Sequence, residues 1–113
     1  METSAASNAL SALGNERRLS VFRLLVQAGP DGIAAGEIAR RLDILQNTLS
    51  SSLAVLSHAG LITSRREGRS IIYSAAYPKL GELLDFLVED CCGGHAELCP
   101  AFNARMKAAA NGV

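Results

Sequence analysis

Cys91, Cys92 and Cys99 are all the cysteines of the chain, and they fall in one run, Asp90-Cys91-Cys92-Gly93-Gly94-His95-Ala96-Glu97-Leu98-Cys99. The pattern upstream predicts that Cys91 and Cys92 end a helix. Adjacent helical residues point about 100° apart, so continued helix would splay the two sulfurs. Gly93-Gly94 ends the helix and lets Cys99 return to the pair. Three thiolates with no obligatory fourth ligand suit a soft trivalent centre bearing a lone pair, As(III) or Sb(III), because soft ligands select soft ions. Adding His95 makes a Cys₃His set, which zinc or cadmium accepts, although a vicinal pair strains a tetrahedral site. A redox pairing of Cys99 with Cys91 or Cys92 is a third reading. Asp90 and Glu97 would raise the thiol pKa and so work against a highly reactive thiolate. Burial of three small side chains is the plain alternative, but Cys-Cys-Gly-Gly among acids is poor core material.

An enzyme using these thiols, such as an arsenate reductase, would need an activated cysteine and an anion-binding loop of backbone amides. The carboxylates here would repel arsenate. His58 and His95 are the only histidines, and no Ser/His/Asp set is visible. No catalytic residue, catalytic cofactor or enzyme activity is expected.

Something must connect such a sensor to a response, and Gln46–Leu61, QNTLSSSLAVLSHAGL, is the stretch that can. Leu49, Leu53 and Leu56 fall at i, i+4 and i+7 on one helix face. Gln46, Asn47, Thr48, Ser50, Ser51 and Ser52 are short or amide-bearing and can bond base edges and phosphates. Gly60 is placed to stop this helix. A helix with a small, polar first half is what a major-groove reader needs. The sequence predicts that Gln46, Asn47, Thr48, Ser50 and Ser51 face double-stranded operator DNA.

Taken in order, the chain predicts a first helix over residues 7–13, with residues 1–7 frayed and Ala9, Leu10 and Leu13 apolar. Asn15 is placed to cap a second helix running to Ala28, with Leu19, Phe22 and Val26 as its main stripe. Gly29-Pro30-Asp31-Gly32 is a turn. A third helix over residues 34–42 turns inward with Ile38, Ala39 and Leu42, and a short turn joins it to the reading helix. Residues 61–66 and 69–74 read as a two-stranded hairpin around Glu67-Gly68. Ile62, Ile71 and Tyr73 are its anchors, and Arg65, Arg66 and Arg69 decorate its tip as further DNA contacts. Pro78 opens a last helix with Leu80, Leu83, Leu84 and Leu87 in register. Pro100 could start a short helix through Ala110. The expected domains are 1–90 for DNA binding and dimerisation and 91–113 as a cysteine-containing tail. The fold class is mostly α with a β-hairpin wing, ααααββα.

Charge supports this division of labour. Formal net charge is zero, yet residues 1–79 hold nine Lys and Arg against six Asp and Glu, and residues 80–113 hold two against five. Such a split keeps a DNA-binding face on a neutral protein. At 4% aromatic residues and no Trp, base stacking on single-stranded RNA is a poor fit. The chain of 113 residues is small enough for a second copy to help bury its first and last helices, and a two-fold homodimer is expected. No signal peptide or membrane span is visible, so a cytoplasmic protein with no membrane partner is expected.

The order of elements resembles the winged-helix ArsR/SmtB family of metal-responsive repressors. The likeness is carried by Ala12-Leu13-Gly14-Asn15-Glu16-Arg17-Arg18-Leu19, by Leu49-Ser50 through Leu53, by Val55-Leu56 and His58-Ala59-Gly60-Leu61-Ile62, and by Arg66-Glu67-Gly68-Arg69 with Tyr73. It covers roughly residues 9–90. The cluster after the last helix is similar to that of arsenite-responsive members, implying an operator-bound repressor that As(III) or Sb(III) releases through Cys91, Cys92 and Cys99. Three departures stand against a fuller transfer. The third helix has Glu37-Ile38-Ala39-Arg40 where metal-sensing members carry Cys-x-Cys. The last helix has Asp85 and Glu89 but no His before Cys91. Ser51 and Ser52 stand where a large basic or His side chain is common.

Overall fold

The computed structural model describes residues 1–88. Cys91, Cys92, His95, Cys99 and the expected helix after Pro100 lie outside the described residues. The elements are α1 (Thr3–Leu13), α2 (Glu16–Ala28), β1 (Ile33–Ala34), α3 (Ala35–Leu42), α4 (Gln46–His58), β2 (Ile62–Glu67), β3 (Ser70–Ala75) and α5 (Tyr77–Val88). The chain divides after Leu83, within α5, and residues 1–83 form one compact unit. Among the described residues no helix is long and apolar enough to cross a membrane.

α1 begins four residues earlier than its leucines indicate. Its buried face is Ala6, Ala9 and Ala12, while Leu10 is 43% exposed. Small side chains at i, i+3 and i+6 bring the helix close to its neighbours, so residues that read as frayed are held. At its end, Arg18 Nε donates to the Ala12 carbonyl at 2.6 Å and Nη2 to the Ser11 carbonyl at 3.2 Å. The Ala12 carbonyl is one that a helix end leaves without an intrahelical partner, and the Ser11 carbonyl also accepts from the Gly14 amide at 3.1 Å. Asn15 caps α2 as expected, its Oδ1 accepting from the Arg18 amide at 3.1 Å. The buried stripe of α2 is Val21, Phe22 and Leu25; Leu19 is exposed, and Val26 is half-buried.

The sheet has three strands, not the two expected, in the order β1-β3-β2. β1 is only Ile33 and Ala34, paired antiparallel with Tyr73 and Ile72. Two residues are too few to show an alternating pattern, so only the pairing reveals this strand. The β2–β3 register matches Glu67 with Ser70, which makes Gly68-Arg69 the turn, one residue beyond the expected position. Gly68 has φ 61° and Arg69 does not have positive φ, the type II′ pattern with glycine at the first central position.

Leu49, Leu53 and Leu56 of α4 join Ile38 of α3, Leu25 and Phe22 of α2, Leu61, Ile62 and Leu83 in the core. Burying each such leucine contributes roughly 1.5–3 kcal/mol. Of the hairpin anchors, Ile62 is buried and Tyr73 half-buried, but Ile71 is 44% exposed. Ser74 and Ala75 are buried instead, because the strand sinks into the body only toward its C-terminal end.

Candidate nucleic-acid interface

The helix-turn-helix is built by two matching chain reversals. At the end of α3, Asp43 has φ 52°, and the Ile44 amide returns to the Ala39 carbonyl at 3.0 Å. At the end of α4, Gly60 has φ 78°, the Gly60 amide bonds the Ser57 carbonyl at 3.0 Å and the Leu61 amide bonds the Leu56 carbonyl at 3.0 Å. Both are Schellman closures, and in the second the flanking Leu56 and Leu61 are fully buried. Asp43 takes the left-handed position that glycine usually fills; a short polar side chain tolerates it. The first closure sets the direction in which the chain leaves α3 for α4, and the second the direction in which it leaves α4 for β2.

α4 is split along its length as the sequence predicts, with one correction. Gln46, Asn47, Ser50 and Ser51 are exposed and Thr48 is half-buried. Ser52, grouped with the polar residues by type, is buried at 5% exposure. It stands three residues after Leu49 and four before Leu56, which puts it on the core face whatever its polarity. Ser51 Oγ donates back to the Asn47 carbonyl at 3.3 Å, so its proton is spent within the helix. No side chain caps the start of α4, and Leu45 there is 75% exposed. An apolar residue inside a connecting turn is the sequence signal that marks Leu45.

The arginines around α4 have different surroundings. Arg40 and Arg41 share Glu37 on their own helix: Arg40 Nε meets Oε2 at 2.9 Å, its Nη2 also bonds Oε1, and Arg41 Nε meets Oε1 at 2.9 Å. The Arg40 guanidinium, and then that of Arg41, holds the Glu37 carboxyl down to about 2 from an ordinary 4.5. Arg65 is bonded to Glu67 and to the Asp31 carbonyl. Arg66 and Arg69 are exposed and have no side-chain bond or ion pair among the described residues.

A groove of about 750 Å³ opens beside α1 and the last turn of α4, with Arg18, His58 and Lys79 on its walls. Arg18 is tied to the end of α1, His58 lies in the last turn of α4, and the Lys79 side chain lies against Gly60. The Arg18 and Lys79 cations at these places offset the negative ends of the two helices. Among the described residues no group of three or more His, Cys, Asp or Glu is placed to hold a metal ion.

A helix-turn-helix followed by a hairpin wing, whose inner strand also pairs with a short strand ahead of α3, defines a winged helix-turn-helix DNA-binding protein. The family described as "Helix-turn-helix domain" matches residues 13–65. The biofilm growth-associated repressor of Agrobacterium fabrum is 35% identical over 89 residues, 79% of this chain and 74% of that protein. The putative arsenical resistance operon repressor ArsR2 of Halobacterium salinarum is 31% identical over 86 residues, 76% of this chain and 70% of that protein. Among solved structures, the homodimeric winged helix-turn-helix DNA-binding domain Mb0332 of Mycobacterium bovis, a possible ArsR-family transcriptional regulator, superposes with a TM-score of 0.62 at 29% identity, covering 81% of this chain and 85% of that one. The chain belongs to the ArsR family of winged helix-turn-helix transcriptional regulators.

Proposed function

We propose that this regulator is a homodimeric repressor that grips an operator with α4 and the wing and releases it when As(III) or Sb(III) binds Cys91, Cys92 and Cys99. The DNA half of this reading is carried by α4, whose apolar face is buried while Gln46, Asn47 and Ser50 stand exposed in its first half. That half usually enters the major groove. Ser50 has a hydroxyl not committed to its own helix, and Leu45 offers an apolar surface to a thymine methyl. Arg66 and Arg69 would meet phosphate or minor groove from the wing.

The sensing half is supported by the donor set and by the name of the Halobacterium relative. Three thiolates fit a pyramidal soft ion. As arsenous acid binds, three S–As bonds replace three As–OH bonds and three waters leave. The cysteines directly follow the segment expected to pair two copies. Reading helices must meet half-sites about 34–36 Å apart, so a small change in how the copies sit takes both off register. Linkage requires DNA to weaken arsenic binding by the same factor, typically ~1–3 kcal/mol.

The deciding experiment titrates As(III), and separately Zn(II), into the reduced protein bound to duplex from its own promoter region. As(III) should release the duplex at one equivalent per subunit. Cys99→Ser should abolish release and spare DNA binding. Release of the Cys99→Ser complex at the wild-type arsenite concentration would replace the three-thiol site with a two-thiol one. Loss of response in His95→Ala, with zinc releasing DNA as well as arsenite does, would favour the Cys₃His set.

A further inference from the structure

The outer wing has little packing to hold it. β1 supports β3 only at Ile72 and Tyr73, and every residue of β2 after Ile62 is exposed. A two-stranded ribbon of this kind is marginal by itself. What fixes it lies on one sheet face. Register and alternation put Arg65 and Glu67 of β2 on the same side as Ser74 of β3. From that side Arg65 Nη2 donates to the Asp31 carbonyl at 2.6 Å, and Ser74 Oγ donates to the Pro30 carbonyl at 3.1 Å. Both reach the turn that follows α2, more than thirty residues back along the chain. Glu67 Oε1 accepts from Arg65 Nε at 3.0 Å and so orients the guanidinium. Gly32 lets the turn come this near: a Cβ there would lie 2.4 Å from the Tyr73 carbonyl oxygen and 2.5 Å from Ser74 Oγ.

Arg66 alternates onto the opposite face, and Arg69 sits in the hairpin turn. We propose that Arg65 is a positioning residue, strapping the Gly29–Gly32 turn to the wing so that Arg66 and Arg69 are presented to DNA at a fixed angle. The proposal rests on the DNA-binding reading above and assigns the wing's three arginines two different tasks. Arg65 serves its two acceptors from two separate nitrogens of one planar fork, whereas lysine would have to reach both from a single nitrogen. Glu67, an acid beside basic residues at a DNA-facing tip, gains a purpose: it sets the direction of the fork.

The test uses the full chain, duplex from its own promoter region, and the variants Arg65→Lys, Arg65→Ala and Arg66→Ala. Both Arg65 variants should weaken binding about three- to tenfold, the loss expected of a hydrogen bond, and keep the wild-type log–log salt slope. Arg66→Ala should lower that slope by about 1. Without DNA, amide exchange at Gly32 and Tyr73 should quicken about three- to tenfold in Arg65→Lys as in Arg65→Ala. Wild-type affinity in Arg65→Lys together with a slope lowered by about 1 in Arg65→Ala would overturn the proposal and make Arg65 a phosphate contact. Unchanged exchange with normal duplex binding would overturn this inference alone. A wild-type chain that binds no duplex would overturn the DNA reading and the positioning role together, while quickened exchange would still establish the strap.

Discussion

Two sets of arginines flank the reading helix, and they are held in opposite ways. On α3, Arg40 and Arg41 are tied to Glu37, three and four residues away on the same helix. In the wing, Arg65 is tied across 34 residues to the turn after α2, and Arg66 and Arg69 have no partner among the described residues. Charge counting treats all five alike. The local trio carries a net charge of one, and its members satisfy each other before any ligand arrives. The wing commits one arginine to its own geometry and leaves two without a partner among the described residues. Arg65 has a local partner as well, Glu67 two residues away, and what sets it apart from Arg40 and Arg41 is its second bond to the Asp31 carbonyl, 34 residues back.

The comparison breaks most completely if the turn beneath the wing is unseated. Gly32→Ala places a Cβ against the Tyr73 carbonyl at φ 77°, and unfolding stability should fall by roughly 2 kcal/mol or more, read from urea denaturation. A loss of less than about half that would mean the turn moves aside without cost. Next in size is Arg66→Ala/Arg69→Ala, which should lower the salt slope of DNA binding by about 2. The matching double variant on α3, Arg40→Ala/Arg41→Ala, should lower it by less than about 1, since Glu37 already compensates one charge. Equal slopes from the two pairs would erase the distinction, meaning that Arg40 and Arg41 leave Glu37 for phosphate. Ser74→Ala removes one strap and should cost about 0.5–1.5 kcal/mol of stability.

The smallest effect is a pH dependence. Glu37 titrates in the folded chain at about 2, below its ordinary 4.5. A carboxyl with a lowered folded pKa stabilises the native state above its unfolded value, and that stabilisation is lost as pH falls from about 4.5 toward 2. The pairs lie at the surface, with Arg40 and Arg41 exposed and Glu37 half-buried, so solvent screening should keep the difference slight. Glu37→Gln should flatten the acid limb of the denaturation midpoint against pH in this window. An identical limb would mean that the Glu37 pairs do not persist in solution.

Much of the interface is legible in the residues alone. Leu49, Leu53 and Leu56 define a face by spacing, and all three are buried. Asn15 and Gly60 announce a helix start and a helix stop that the structure contains. Residue type misled where spacing did not: Ser52 is polar and buried, and Leu10 is apolar and exposed. The wing's turn lies one residue from its expected position, because Glu67-Gly68 and Gly68-Arg69 both read as turns and the cross-strand register chooses between them.

Local chemistry therefore settled what neighbours in sequence can settle: most of each helix, the Asn15 cap, the exposed polar face of α4 and the presence of a hairpin. These follow from periodicity and from backbone preferences that act over a few residues. Tertiary structure alone decided that β1 exists, that Ala6, Ala9 and Ala12 rather than leucines seat α1, and that Arg65 holds the Asp31 carbonyl. Each of these depends on which distant segments meet. A short strand is stabilised only by its partner, an alanine face only by a neighbour close enough to need it, and a guanidinium fork only by an acceptor brought to it from 34 residues away.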